Sequence, residues 1–111
     1  IHHLPVYLDS PMAIDATKIY HAHRDEHRLT PEQCHAMCHV ATMVNKPDDS
    51  KALSARQGPM VIISASGMAT GGRVVHHIKA FGPDHRNTIL FAGYQAGGTR
   101  GAAMLGGAAS V

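Results

Sequence analysis

Short apolar runs alternate with longer segments of helical periodicity along the 111-residue chain. The apolar runs at residues 6–8, 40–44, 60–65 and 88–92 predict four strands. The periodic segments between and after them predict helices at residues 10–28, 30–39, 47–57, 72–81 and 99–105. Helices that alternate with strands indicate an α/β fold, with a mostly parallel, Rossmann-like sheet between layers of helices. We expect one domain over residues 1–111.

Local start and stop signals support these helix positions. Ser10 before Pro11 is a typical helix start, and Thr30 followed by Gln33 forms a capping box. Gly58-Pro59 ends the third predicted helix. Val61, Ile62 and Ile63 form a continuous β-branched run, which predicts a strand covered on both faces.

Composition narrows the class of protein. With 44% hydrophobic and 16% charged residues, the chain is globular rather than disordered, and its net charge of +2 is too small for a strongly basic DNA-binding domain. No apolar run approaches the roughly 20 residues that span a bilayer, so we expect no membrane partner.

The two cysteines lie four apart and favour a reducing, cytoplasmic location. The chain begins without Met and reaches a strand within six residues, so we expect a piece of a longer protein.

The strand at residues 60–65 leads into a glycine-rich loop. Gly67, Gly71 and Gly72 allow a tight turn with exposed N–H groups, and the following helix points its positive end at this loop. Such an arrangement suits an anion such as phosphate, although glycines that merely pack a helix on a strand give the same pattern.

The loop does not match the common nucleotide motifs. Gly67 and Gly72 have the P-loop spacing, but Arg73 replaces its Lys and Val74 replaces the hydroxyl that holds Mg²⁺. The dinucleotide motif GxGxxG is also absent. An ATPase, a GTPase or a dinucleotide-binding enzyme is therefore disfavoured.

The helix after the loop has a basic face and an apolar face. Arg73, His76 and His77 fall on one side, which we expect to lie beside the loop and to favour a polyanion, although a solvated helix face that happens to be basic gives the same pattern. Val74, Val75, Ile78 and Phe81 fall on the other side, which we expect to pack on the sheet.

Two histidine-rich segments are candidate metal sites. His21–His27 nearly spells HxHxDH, but on a helix its potential ligands divide between two faces, and only the pair His23 and His27 could share an ion. Cys34 and Cys38 share a helix face and resemble small core residues, away from His35 and His39. We therefore predict no metal ligands, while a His-rich metal-binding protein stays open as an alternative.

Four blocks of the chain resemble the β-CASP ribonucleases of the metallo-β-lactamase superfamily, which include predicted exonucleases and cleavage-and-polyadenylation factors. In the family's order, they are VYLDSPMA at 6–13, SKAL at 50–53, ISASGM with GGR and HH within 63–77, and NTILFAGYQ with GGTRG within 87–101. Residues 20–49 match only loosely.

The resemblance implies that the parent enzyme hydrolyses RNA with two zinc ions, as an endonuclease or an exonuclease. Their ligands belong to a metallo-β-lactamase domain that this chain lacks, so we expect no cofactor or catalytic residue here and no activity from the chain alone. The resemblance also implies that the chain is the β-CASP cap, which helps to hold single-stranded RNA. Expected partners are this RNA and the metallo-β-lactamase domain of the same polypeptide, with a homodimer as a further candidate.

The resemblance also implies which residues face the substrate cleft, and most of them belong to loops at the carboxyl ends of the strands. They are Asp9, Ser10, Ser66, Gly67, Met68, Gly71, Gly72, Arg73, His76, Tyr94, Gln95, Thr99 and Arg100. Loop N–H groups and Arg73 would contact phosphate, and Tyr94 would stack on a base or brace the loop. A free-standing phosphate- or nucleotide-binding α/β module is the alternative function.

Overall fold

The computed structural model describes residues 3–111. Strands β1 (Val6–Asp9), β2 (Thr42–Met43) and β3 (Val61–Ser64) form one parallel sheet in the order β2-β1-β3. In its register, Tyr7 pairs with Thr42 on one side and with Ile62 on the other. Parallel strands need crossover connections, and helices supply them here.

Five α-helices accompany the sheet in the described part of the chain. They are α1 (Pro11–Ala22), α2 (Pro31–His39), α3 (Pro47–Ala55), α4 (Arg73–Phe81) and α5 (Arg100–Leu105). The α/β fold with a parallel sheet is therefore confirmed. None of the helices described is both long enough and apolar enough to cross a membrane.

The predicted caps form where the sequence places them. The Ser10 side chain accepts the Ala13 N–H at the start of α1. Thr30 and Gln33 complete both halves of the capping box of α2. These interactions satisfy N–H groups that the first helical turn leaves without partners, so they fix the two helix starts locally.

The first helix ends earlier than the predicted residue 28. It stops at Ala22, and a 3₁₀ turn at Arg24–Glu26 leads to the next helix. The imidazole of His23 lies 3.1 Å from a carboxylate oxygen of Glu26 in that turn. Because residues 23–27 leave the helix, the predicted helical pairing of His23 with His27 is wrong.

The sheet has three described strands rather than four. Residues 88–92 form no strand, and Leu90 is 86% exposed. β3 is consequently an edge strand, and the prediction that it is covered on both faces is wrong: Val61 is 39% exposed and Ile63 is 47% exposed. An apolar run alone does not specify a pairing partner, which is why the pattern predicts a strand that does not form.

The buried apolar core lies between the sheet and the helices and is small. Its members are Ile14, Cys34, Cys38, Val44, Leu53 and Ala69. Cys34 and Cys38 are both buried and unpaired, as the predicted helix face indicates. Buried polar groups accompany this core at the carboxyl end of β1, where the candidate site begins.

Candidate functional site

A buried carboxylate ends the central strand. Asp9 is fully buried and accepts hydrogen bonds from Ser50 Oγ at 2.5 Å, His77 Nε2 at 2.6 Å and Arg73 Nη1 at 2.7 Å. The other ring nitrogen of His77 lies 3.0 Å from Ser54 Oγ. We call these five residues the Asp9 network. It joins β1 to α3 and α4 through side chains that are far apart in the sequence.

Arg73 is held on several sides. Besides Asp9, its guanidinium donates to the carbonyl oxygens of Val44 at 2.9 Å and Asn45 at 2.6 Å. Since these contacts come from the segment between β2 and α3, the guanidinium ties that segment to the start of α4. Its two terminal nitrogens are thus already engaged within the chain.

The network sets the ionisation of Asp9. Burial acts to raise the pKa of this carboxyl, but hydrogen bonds from Ser50, His77 and Arg73, together with the Arg73 charge, outweigh burial and hold the pKa below its ordinary value. Asp9 is therefore a buried carboxylate that is charged at neutral pH and compensated by its neighbours.

The orientation of α4 differs from the prediction. His77 is buried and Arg73 half-buried, both directed at Asp9, while His76 on the same helix is exposed. The expectation that Arg73, His76 and His77 share one face beside the loop is therefore wrong. Arg73 and His77 are four positions apart and therefore lie on the same side of α4. Both side chains hydrogen-bond to the buried Asp9 carboxylate, so this side of the helix faces the interior.

The glycine-rich loop after β3 is closed by its own hydrogen bonds. Ser66 N–H donates to the Gly71 carbonyl at 3.2 Å, and Ser66 Oγ accepts the Thr70 N–H at 3.2 Å. Gly72 has φ +80°, and a Cβ built there would lie 2.6 Å from the Ala65 carbonyl oxygen. Glycine is thus required at position 72 by both backbone conformation and close approach.

The segment from Gln95 to Gly101 docks on three successive carbonyls of this loop. Gln95 Nε2 donates to Gly67 at 2.9 Å, the Gly101 N–H to Met68 at 2.9 Å, and Arg100 Nη1 to Ala69 at 2.7 Å. A Cβ at Gly101 would collide with Gln95 Oε1. These contacts fix the loop against the last helix without using its N–H groups.

An open cleft of about 420 Å³ lies between the loop and residues 92–95. Its lining residues are Ser66, Gly67, Met68, Thr70, Ala92, Gly93, Tyr94 and Gln95. The Tyr94 side chain is 81% exposed at this cleft. An aromatic ring beside free backbone groups can contact a ligand that has both a flat apolar part and a polar part.

The structure divides the predicted site residues into three groups. Ser66, Gly67, Met68, Tyr94 and Gln95 line the cleft. Gly71, Gly72, Thr99 and Arg100 support it from the loop and the start of α5, where the Thr99 side chain caps the helix. The remaining four lie outside the lining. Asp9 and Arg73 belong to the Asp9 network, Ser10 caps α1, and His76 lies on the exposed side of α4. Their contact with a substrate stays a prediction.

Sequence reasoning did not assign three side chains of the Asp9 network and three residues of the cleft to the site. They are Ser50, Ser54 and His77 in the network, and Thr70, Ala92 and Gly93 in the cleft. The spacing of four residues between the two serines, repeated between Arg73 and His77, could have indicated facing helices, but nothing in the sequence pairs them with Asp9.

The histidine-rich segments do not assemble a site of the usual zinc type. Within residues 3–111, no three His, Cys, Asp or Glu side chains converge to hold a metal ion. The His27 ring stacks on Tyr20 with ring centroids 4.1 Å apart, and its Nε2 lies 3.7 Å from Cys34 Sγ. A dinuclear zinc site therefore does not fit these residues.

Comparison with known proteins identifies the family. The family model described as Beta-Casp domain matches residues 1–104. The chain is 34% identical over 114 residues to Ribonuclease TTHA0252 of Thermus thermophilus, which covers 91% of this chain and 25% of the relative. It is also 34% identical over 116 residues to Transcription termination factor FttA of Methanocaldococcus jannaschii (96% of this chain, 18% of the relative). FttA of Methanosarcina mazei is 36% identical over 107 residues (91% and 17%).

The chain spans about a quarter or less of the length of these relatives. The match nevertheless covers nearly all of the chain, and it includes both the loop after β3 and the segment that docks on it. The parallel sheet, the glycine-rich loop and this extent of similarity lead to one conclusion: the chain belongs to the Beta-Casp domain family of RNA-processing nucleases.

Proposed function

We propose that this domain is the cap of a ribonuclease and that it holds single-stranded RNA in the cleft beside the glycine-rich loop. The observation that carries the proposal is the exposed Tyr94 ring at the mouth of that cleft. Stacking on an aromatic ring accepts any base, because every base has a flat π face. The names of the relatives, a ribonuclease and a transcription termination factor, support a role with RNA.

Backbone N–H groups are the proposed phosphate contacts. Within the described residues, the N–H groups of Gly67, Gly71 and Gly72 have no hydrogen-bond acceptor, and the last two lie at the positive end of α4. A helix start of this kind favours a phosphate oxygen. Because Arg73 is engaged with Asp9, we assign it to holding the start of α4 rather than to direct phosphate binding.

The catalytic step is proposed to require residues that lie elsewhere in the parent enzyme. The family resemblance implies two zinc ions and a metallo-β-lactamase domain, and the residues described here do not fit a dinuclear site. We therefore propose that the isolated domain binds RNA without cleaving it, in a reducing, cytoplasmic setting in keeping with its two unpaired cysteines. Cleavage of RNA by the purified 111-residue chain with added zinc would contradict this assignment.

Binding of a fluorescent, single-stranded RNA oligonucleotide tests the cleft directly. In an anisotropy titration, Tyr94→Ala should weaken binding by about 10-fold, which corresponds to the loss of one stacked base. Tyr94→Phe should bind like the unmodified chain because the ring is retained. Val40→Ala is the matched control, since Val40 is also an exposed apolar residue but lies outside the cleft.

Two results would count against the proposal. Equal affinity of the unmodified chain and Tyr94→Ala would remove the stacking role. If a mononucleotide bound as tightly as the oligonucleotide, the free-standing nucleotide-binding module would be the better assignment.

A further inference from the structure

Two histidines from different helices meet on a part of the domain that is separate from the RNA cleft. His21 lies in the last turn of α1 and His39 in the last turn of α2. Their ring centroids are 6.3 Å apart, and the ring planes are nearly perpendicular at 82°. Both rings line an open cavity of about 290 Å³ together with Thr17, Lys18 and Met43.

The His39 ring is fixed by a hydrogen bond and by stacking. Its Nδ1 lies 2.7 Å from the carbonyl oxygen of His35, so this nitrogen carries the proton and donates it. In the neutral ring this hydrogen bond leaves the lone pair on Nε2, the nitrogen with which the ring can bind a metal ion. The His35 ring stacks on His39 at 4.1 Å and holds the ring in place.

The third potential donor is a thioether. Met43, on the short strand β2, lines the same cavity and is 40% exposed. Among the residues that line this cavity with the two histidines, Met43 is the one with a soft donor atom, its thioether sulfur. Two imidazoles with a thioether are a soft donor set, which selects Cu(I) over Mg²⁺, Ca²⁺ or Mn²⁺.

Partial charges at two helix ends act in favour of a cation at this position, and one lysine acts against it. The last turns of α1 and α2 both border the cavity, and the carbonyl ends of helices carry partial negative charge. Lys18 is the opposing positive group, but its ammonium lies 3.7 Å from the Asp15 carboxylate and its side chain is 61% exposed. Its flexible stem can move into solvent when a cation binds.

We propose that His21, His39 and Met43 form a binding site for a single Cu(I) ion. The site is independent of the RNA cleft, because none of its residues lines that cleft.

Competition with the chromogenic chelator bicinchoninate, under anaerobic conditions, measures the site. The unmodified chain should take one Cu(I). Met43→Leu, which keeps the apolar volume, should lower the affinity by about 10-fold or more, and His39→Gln and His21→Gln should lower it at least as much. His85→Gln is the matched control, because the His85 side chain is 94% exposed and lies outside the cavity.

A second metal and a second measurement keep the proposal falsifiable. Zn²⁺ affinity should not respond to Met43→Leu, because thioethers are poor zinc ligands. In the unmodified chain, added Ag(I), a stand-in for Cu(I), should shift the NMR signal of the Met43 methyl group, a result that does not depend on a variant folding. An unshifted Met43 signal, or a Cu(I) affinity that is the same in all four variants, would overturn the proposal.

Discussion

A single buried carboxylate organises much of this small domain. Asp9 is the acceptor for two helices, and Arg73 extends the same network to two carbonyls of the segment before α3. A compensated buried charge costs little while every partner is present, but removal of one partner leaves an uncompensated group. We therefore expect the largest losses of stability from substitutions of single residues in the Asp9 network.

Asp9→Asn should strongly destabilise the domain. The change removes the negative charge that balances the half-buried Arg73, and breaking a pair of this kind costs about 3 kcal/mol of unfolding free energy. Urea denaturation followed by circular dichroism measures the change. Asp15→Asn is the control, since the exposed Asp15–Lys18 pair should contribute less than about 1 kcal/mol. Equal effects of the two substitutions would contradict the central role of Asp9.

Stability should fall in acid partly through the same residue. The pKa of Asp9 is lowered in the folded protein, so its contribution is complete above its unfolded pKa of about 3.9 and is lost as the pH falls through the folded-state pKa. Unfolding free energies measured in urea between pH 5 and about pH 2 should show this loss in the unmodified chain, mainly below the unfolded pKa. Asp9→Asn should lose less stability over the same range, and parallel curves would refute the assignment.

At the level of helices and strands, the local sequence determines where helices begin. Gly72 determines the backbone conformation of the loop that follows β3. Ser10, Thr30 and Thr99 each cap a helix through a side-chain oxygen. At Gly72, the conformation and the nearby Ala65 carbonyl leave no room for a side chain. Caps act within one turn, whereas the glycine acts on the contact between the loop and the strand end.

Gly72→Ala should distort the loop. The added Cβ would meet backbone rather than a flexible side chain, in a conformation that alanine rarely adopts, so we expect a loss of about 1–3 kcal/mol. Gly67→Ala should change the unfolding free energy by less than about 0.5 kcal/mol, because a Cβ there has no neighbour within 4 Å. Chemical denaturation of both variants makes the comparison, and a harmless Gly72→Ala would contradict the close approach of Gly72 to the Ala65 carbonyl.

In the whole molecule, the last helix and the glycine-rich loop form one unit that shapes the cleft. Arg100, Gly101 and Gln95 each hold one loop carbonyl, although they lie about 30 residues away in the sequence. The shape of the RNA cleft should therefore depend on contacts outside its lining.

Arg100→Ala should loosen this unit without unfolding the domain. Loss of its hydrogen bond to the Ala69 carbonyl should speed amide exchange across residues 95–105 by about 5-fold, equivalent to about 1 kcal/mol. Hydrogen exchange with mass spectrometry reads this segment directly. Arg86→Ala is the control, because the hydrogen bonds described for Arg86 go to nearby Asp84, and its removal should leave the segment unchanged. Unchanged exchange in Arg100→Ala would show that other contacts hold the helix.

The glycine-rich loop of the candidate site could be predicted from the sequence, but the Asp9 network could not. The glycines and the flanking motif indicate a site at residues 66–73, and Tyr94 and Gln95 do lie at the same cleft. The role of His77 was not accessible, because it depends on Asp9, 68 residues earlier in the chain. Long-range pairs of this kind leave no local periodicity.

By itself, the sequence determined the type and order of most elements, the helix starts, the glycine-rich loop and the family resemblance. These features depend on interactions within a turn or two, or on motifs a few residues long. Only the tertiary structure decided that β3 is an edge strand, that residues 88–92 stay outside the sheet, and that Arg73 and His77 turn inward to Asp9. The physical reason is that the burial and compensation of a charge depend on contacts between segments that are distant in the sequence. Local propensity does not determine which distant segments come into contact.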